Sequence, residues 1–120
     1  MVEAGVVAAT TGGSEHDLRS LAFWLRSEDE FRGRVELEEA PAHRGEPSSE
    51  LDAVVTVLPP AAASSFASSV LAWLTHHHGV HTLSLTVRSA AGAQASLSCH
   101  ATDDPRQLAG TIRRLLGDGS

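Results

Sequence analysis

Apolar and polar positions along this 120-residue chain change period several times, and each period predicts a different element. The opening stretch, MVEAGVVAAT, is short and Val-rich and runs into Thr11-Gly12-Gly13, which predicts a first strand closed by a turn. Leu18, Leu21, Ala22 and Leu25 then recur at i, i+3, i+4 and i+7, one buried face of a helix. Ser14 is placed to cap that helix, and Asp17 sits in its first turn, where negative charge suits the helix dipole. Trp24 lies beside the stripe, at its border. The acidic run SEDE (27–30), followed by Gly33, ends the helix near residue 30.

RVELEEA alternates, with Val35 and Leu37 on one face and Glu36 and Glu38 on the other, which predicts a half-solvated second strand. PAHRGEPSSE (41–50) reads as a mobile loop. The next apolar stretch divides at Pro59-Pro60. Leu51–Leu58 suits either a short helix capped by Ser48 or Ser49, or a buried strand; Val54, Val55 and Val57 favour the strand by propensity. Beyond the break, Pro60 fits a first helical turn. Phe66, Val70, Trp73 and Leu74 repeat at helical spacing, and Ser64, Ser65, Ser68 and Ser69 with the alanines form a small-residue face. Gly79 stops this helix.

HTLSLTVRS alternates with Leu83, Leu85 and Val87 inward and Thr82, Ser84, Thr86 and Arg88 outward. After the turn SAAG the alternation resumes, with Ala93, Ala95, Leu97 and Cys99 inward. This is a hairpin with one wet face. Asp104-Pro105 opens a last helix, buried through Leu108, Ile112, Leu115 and Leu116 and ended by Gly117. No internal repeat is visible. The order read from these periods is β-α-β-α(α)-β-β-α. It predicts an α+β fold over residues 1–120, with an about four-stranded mixed sheet covered by three to four helices. Any strand–helix–strand crossing between parallel strands is expected to be right-handed.

Composition narrows the function. The length is that of one domain. Apolar residues make up 42%, with three Phe, two Trp and no Tyr, so the core is built mostly from small aliphatic contacts. A net charge of −6, with every one of the nine basic residues an Arg, offers no basic surface for phosphate and argues against nucleic acid. Cys99 is alone, so no intrachain disulfide forms, and a cytoplasmic setting is expected. The start lacks the positively charged leader of a secretory signal. Residues 53–78, the longest weakly charged stretch, carry two prolines and several Ser or Thr, and read as buried helix rather than membrane span.

WLTHHHGVH (73–81) holds four of the seven histidines. Successive helical residues turn by about 100°, so His76, His77 and His78 point three ways and cannot chelate one ion. His77 and His81 have ligand spacing, but Gly79 interrupts the helix between them. The plainer reading is a solvated helix end whose imidazoles suit the negative pole of the dipole. Cys99 and His100 are adjacent strand residues on opposite faces, so they form no nucleophile–base dyad, and Cys99 reads as buried and inert. TTGGS lacks the lysine and spacing of a phosphate loop. Glu36, Glu38 and Glu39 read as the wet side of a strand, not as paired acids. No catalytic residue, metal ligand or cofactor site is assigned.

LRSLAFWLRSEDEFRGRVELEEAP changes the picture. A Leu-x-x-Leu-x-x-Trp-Leu-Arg helix running into an Arg-Gly-Arg-Val strand resembles the effector-associated constant component family of small actinobacterial proteins. The residues carrying the likeness are Leu18, Leu21, Trp24, Leu25, Arg26, Glu28, Glu30, Arg32, Gly33, Arg34, Val35 and Leu37. It continues through LAWL (71–74), the hairpin and the final helix. Pro59-Pro60 stands where the family often has a Gly-rich break, and His76–His78 where it tends to have a basic run. What the resemblance implies is a component of bacterial conflict systems, a non-enzymatic adaptor beside a peptidase-like effector or an NTPase regulator. The candidate contact surfaces are the outward hairpin face (Thr82, Ser84, Thr86, Arg88, Gln94, Ser96, Ser98) and the region ending the first helix (Trp24, Arg26, Arg32, Arg34). Their plainer readings are an ordinary wet sheet face and, for Trp24, border packing. The alternative function is a small-molecule-binding regulator, with a pocket between the sheet and the central helices lined by Ser64, Ser68 and Trp73; a hydrolase or metal enzyme comes third.

Overall fold

Five strands and three helices follow one another as β1 (Gly5–Thr10), α1 (Glu15–Arg26), β2 (Val35–Glu39), β3 (Leu51–Leu58), α2 (Ala63–His76), β4 (Thr82–Arg88), β5 (Gln94–His100) and α3 (Pro105–Gly117). Single 3-10 turns occupy Asp29–Phe31 and Pro60–Ala62. The structure is a computed structural model that describes residues 4–11, 15–39, 51–77 and 82–117. The Gly12-Gly13 turn, the Ser14, Ser48 and Ser49 caps, the 41–50 loop, His78, Gly79 and His81 lie outside the described residues.

The strands form one sheet in the order β2-β3-β1-β4-β5, and every neighbouring pair is antiparallel. The α+β class and a sheet covered by helices agree with the sequence reading, but two details differ. Leu51–Leu58 is a strand and not the first half of a helical pair, so the sheet has five strands instead of about four. It lies between β1 and β2, and its register turns Val54 and Thr56 to the same face as Val7 and Val35, with Val55 and Val57 on the reverse. Apolar residues therefore occupy both faces, and the alternation that marks a half-wet strand is missing.

The second difference is that the sheet is wholly antiparallel, not mixed. β1 and β2 do run parallel, as do β3 and β4, but β3 lies between the first pair and β1 between the second. This is the split β-α-β arrangement of ferredoxin-like folds, extended here by β5 and α3. Such an architecture serves many activities and selects none of them.

All three helices contribute to one core on a single face of the sheet. Val7 and Ala9 of β1, Leu83, Leu85 and Val87 of β4 and Cys99 of β5 meet Leu18, Leu21 and Leu25 of α1, Phe66, Val70 and Trp73 of α2 and Leu108 and Ile112 of α3. Phe31 of the first 3-10 turn is buried edge-on against Phe66, with ring centroids 6.0 Å apart. The acidic SEDE run thus ends α1 while delivering an aromatic side chain to the core. Asp104 caps α3 as expected: its Oδ1 accepts the Arg106 N–H at 2.9 Å, and Pro105 follows in the first turn. Leu115, expected inside, is only partly buried. Gly5 is required by packing, since a Cβ there would lie 2.5 Å from the Arg88 carbonyl oxygen and would also strike Leu116. Among the described residues no helix is long and apolar enough to cross a membrane.

Three polar side chains, Thr56, Ser69 and Ser89, are buried among the described residues, and Thr56 is the most deeply buried. Thr56 is 1% exposed, and its hydroxyl has no hydrogen-bond partner. Valine keeps the shape and removes the buried hydroxyl. Thr56→Val is therefore expected to raise the unfolding free energy by about 1 kcal/mol. Urea unfolding checks it, and a variant less stable than the parent would show that the hydroxyl is satisfied in solution.

Candidate functional site

Antiparallel register fixes which side chains share the face turned away from the helices. Val57 pairs with Val6, and Val6 with Arg88, which pairs with Gln94; one row along the strands, Glu36, Val55, Ala8, Thr86 and Ser96 stand in line. A third row carries Glu38, Ala53, Thr10, Ser84 and Ser98. Among the described residues no helix or strand lies on this face. Its centre is apolar, with Ala53 buried, Val6, Ala8 and Val55 half-buried and Val57 42% exposed. The β2 margin is acidic through Glu36 and Glu38. The β4–β5 margin is hydroxyl-rich, with Arg88 at one end.

The centre of the face is a shallow depression of about 270 Å³, bordered by Glu38, Thr86 and Arg88. The hairpin side is internally bonded. Arg88 donates through Nε and Nη2 to Gln94 Oε1 at 3.3 and 3.0 Å, and the Thr86 and Ser96 hydroxyls lie 3.3 Å apart.

All seven hairpin residues singled out in the sequence fall on this face. Arg34 joins them: its carbonyl accepts the Val57 N–H at 3.0 Å, which places it beside Val57 at the end of the first row. The other three residues of the first-helix group lie elsewhere. Trp24 is half-buried against the core and donates its indole N–H to the Ser69 carbonyl at 3.0 Å, which fixes α1 to α2. Arg26 donates through Nε and Nη2 to the Val35 carbonyl, tying the end of α1 to the start of β2. Arg32 makes an exposed ion pair with Asp29 at 2.8 Å. The four do not form one surface.

Two features had no counterpart in the sequence reading. Phe23 is 77% exposed on α1. The usable signal was an aromatic residue standing off the 18-21-22-25 stripe. The apolar centre of the open face was also missed, because Val55 and Val57 were read within a segment of ambiguous period.

The histidine cluster is only partly a solvated helix end. His76 is exposed and lies 6.1 Å from the Trp24 ring. His77 does something different. Its backbone leaves the helix in an extended conformation, and its ring stacks on Trp73 with centroids 4.4 Å apart and planes 16° from parallel. Its Nε2 lies 2.7 Å from Asp17 Oδ1, with both side chains 18% exposed. Trp73 in turn donates its N–H to Ser20 Oγ at 3.1 Å. The four side chains clamp the C-terminal end of α2 to the first turns of α1. A sequence separation of 60 residues between His77 and Asp17 hid the pair. Among the described residues no three His, Cys, Asp or Glu side chains gather as a metal set.

Cys99 faces the core and His100 the opposite side, as alternation requires. Burial pushes the Cys99 thiol up to about 11, with a further rise from the nearby Asp103 carboxylate and a small offset from a hydrogen bond at the Leu83 backbone. A thiol held protonated is a poor nucleophile at neutral pH.

The pocket expected between the sheet and the central helices is not assembled. Ser64, Ser68 and Trp24 line an open groove of about 450 Å³ on the outer side of α1 and α2. Trp73 is 2% exposed and points into the core instead. Arg113 of α3 reaches across to donate to Ser64 Oγ at 2.9 Å. The physical reason is helical phase: Ser64 and Ser68 lie one turn apart on the outer face, and Trp73 lies on the inner face with Phe66 and Val70.

Comparison with curated proteins and with solved structures finds no significant match. Residues 10–116, which span α1 to α3 and include the helix-to-strand stretch around Trp24, match the family model described as Effector Associated Constant Component 1. The chain belongs to this family, whose members are components associated with the effectors of conflict systems.

Proposed function

We infer that this protein is a non-enzymatic adaptor of a bacterial conflict system, joining a peptidase-like effector or its NTPase regulator through protein–protein contacts. The observation that carries the reading is the sheet face that no described helix or strand covers. A half-exposed apolar strip (Val6, Ala8, Val55, Val57) lies between an acidic margin at Glu36 and Glu38 and a cationic end at Arg34 and Arg88. An apolar centre with charged and hydroxyl borders is the build of a protein-binding patch. The acidic margin disfavours phosphate backbones and leaves a protein surface as the natural occupant.

The test is co-expression with a peptidase-like effector and with an NTPase regulator of such a conflict system, followed by titration of the recovered complex. Val55→Asp places a charge in the middle row of the strip, between Ala8 on one side and Glu36 on the other, and circular dichroism checks that the variant folds. The expected result is a complex with the parent chain and at least about a tenfold weaker one with the variant, because a desolvated charge lacks a partner. Equal affinity of parent and variant, or no complex with either partner, would overturn the reading.

A further inference from the structure

The two edges of the sheet are built differently. The β2 edge carries exposed Glu36 and Glu38, and its register shifts at Glu38/Glu39. Charges and bulges of this kind keep other strands away. β5 has neither. Gln94–His100 pairs with β4 in unbroken register and contains no proline and no acidic or basic residue apart from the terminal histidine.

The backbone groups that β5 turns outward can be identified. Ser89 donates its N–H to the Ala93 carbonyl at 2.8 Å, so this is a hydrogen-bonded pair. Alternation along the antiparallel ladder then directs the backbone of Ala95, Leu97 and Cys99 towards β4, and that of Gln94, Ser96, Ser98 and His100 away from it. His100 is already engaged: its N–H donates to Asp103 Oδ2 at 2.8 Å, and its carbonyl accepts the Asp103 N–H at 3.0 Å. Gln94, Ser96 and Ser98 form the open edge.

Side chains beside this edge await cover. Ala95, Leu97 and Leu115 are half-buried, and two grooves of about 320 and 120 Å³ run between β5 and α3. The ends of the edge differ in charge. Exposed Asp103 and Asp104 lie where β5 ends and α3 begins. Exposed Arg88 and Arg114 lie at the opposite end, where Leu116 of α3 reaches Gly5 beside the Arg88 carbonyl.

We propose that β5 is the seam of a homodimer, pairing antiparallel with β5 of a second copy across a two-fold axis at Ser96. In that register Ser96 faces Ser96 of the partner subunit and Gln94 faces Ser98 of the partner subunit, so all three open residues form ladder bonds, about six in total. Ala95 meets Leu97 of the partner subunit on the helix side, small against large, and the exposed apolar edge is covered. The two-fold axis also sets the acidic end of each copy beside the cationic end of the other. Neutral, self-complementary residues and charge-reversed ends fit a second copy better than an unrelated strand.

Sedimentation of the full chain at physiological salt over a wide concentration range tests the proposal. The expected result is a reversible species of twice the chain mass. Ser96→Pro removes an outward N–H at an edge position where proline is tolerated, so it should keep the circular dichroism of the parent and weaken dimerisation at least about tenfold. Ser96→Cys should cross-link to a covalent dimer under mild oxidation, since a Cα separation near 5.5 Å suits a disulfide. Buried Cys99 does not compete. A monomer throughout would overturn the proposal. So would a dimer that neither weakens with Ser96→Pro nor cross-links through Ser96→Cys, or a monomer that takes up a strand of the effector along β5.

Discussion

Replacing Trp73 with alanine should lower the unfolding free energy by about 3–5 kcal/mol, more than any other single truncation in the helical layer. The side chain is 2% exposed, stacks on the His77 ring at 4.4 Å and donates its N–H to Ser20 Oγ at 3.1 Å. Its removal leaves a void lined by side chains too small to refill it: the chain has only three Phe and two Trp, and its core is rich in Ala and Val. A domain of this size typically holds about 5–15 kcal/mol in total, so the variant retains a thin margin. Trp24→Ala should cost distinctly less, because that ring is half-buried at the edge of the core. Urea unfolding followed by circular dichroism, which does not depend on the deleted fluorophore, compares the two. Equal losses would mean that α1 and α2 are held together from their outer side rather than through the Trp73 clamp.

The contrast between the two tryptophans also shows what the chain makes legible. Periodicity located α1, the hairpin and α3, because in each one face is wet and the pattern carries the phase. It placed all seven outward hairpin residues on one surface for the same reason. It failed at Leu51–Leu58, where a central strand has apolar residues on both faces and a helix or a strand satisfies the letters equally. Arg34 shows a second limit. Two residues from Arg32 and grouped with it, it faces the open sheet because strand pairing with β3 begins at that residue. His77 shows a third: its carboxylate lies 60 residues away on another helix, and no local spacing announces such a pair. Local phase is written in the chain, whereas contacts between elements depend on strand order.

Between pH 9 and 11 the folded protein should lose roughly 2–3 kcal/mol of stability, and the loss should be attributable to Cys99. The thiol is buried, and its pKa in the fold is raised from 9.0 to about 11. The protonated form is therefore favoured by folding. The associated stability is fully present below pH 9 and disappears as pH rises through 11, with a slope of at most about 1.4 kcal/mol per pH unit for one proton. In most proteins this window is crowded by lysine and tyrosine. This chain has neither, all nine of its basic residues being arginines. The alkaline limb thus reports a single side chain. Urea midpoints measured from pH 8.5 to 11.5 should fall for the parent and stay nearly flat for Cys99→Ala, which starts lower by the lost packing of the thiol. Thiolate absorbance, free of tyrosinate background, should rise near pH 11 in the folded parent. If Cys99→Ala were as alkali-sensitive as the parent, the thiol would be solvated in solution and the packing of β5 beneath α3 would be looser than its burial indicates.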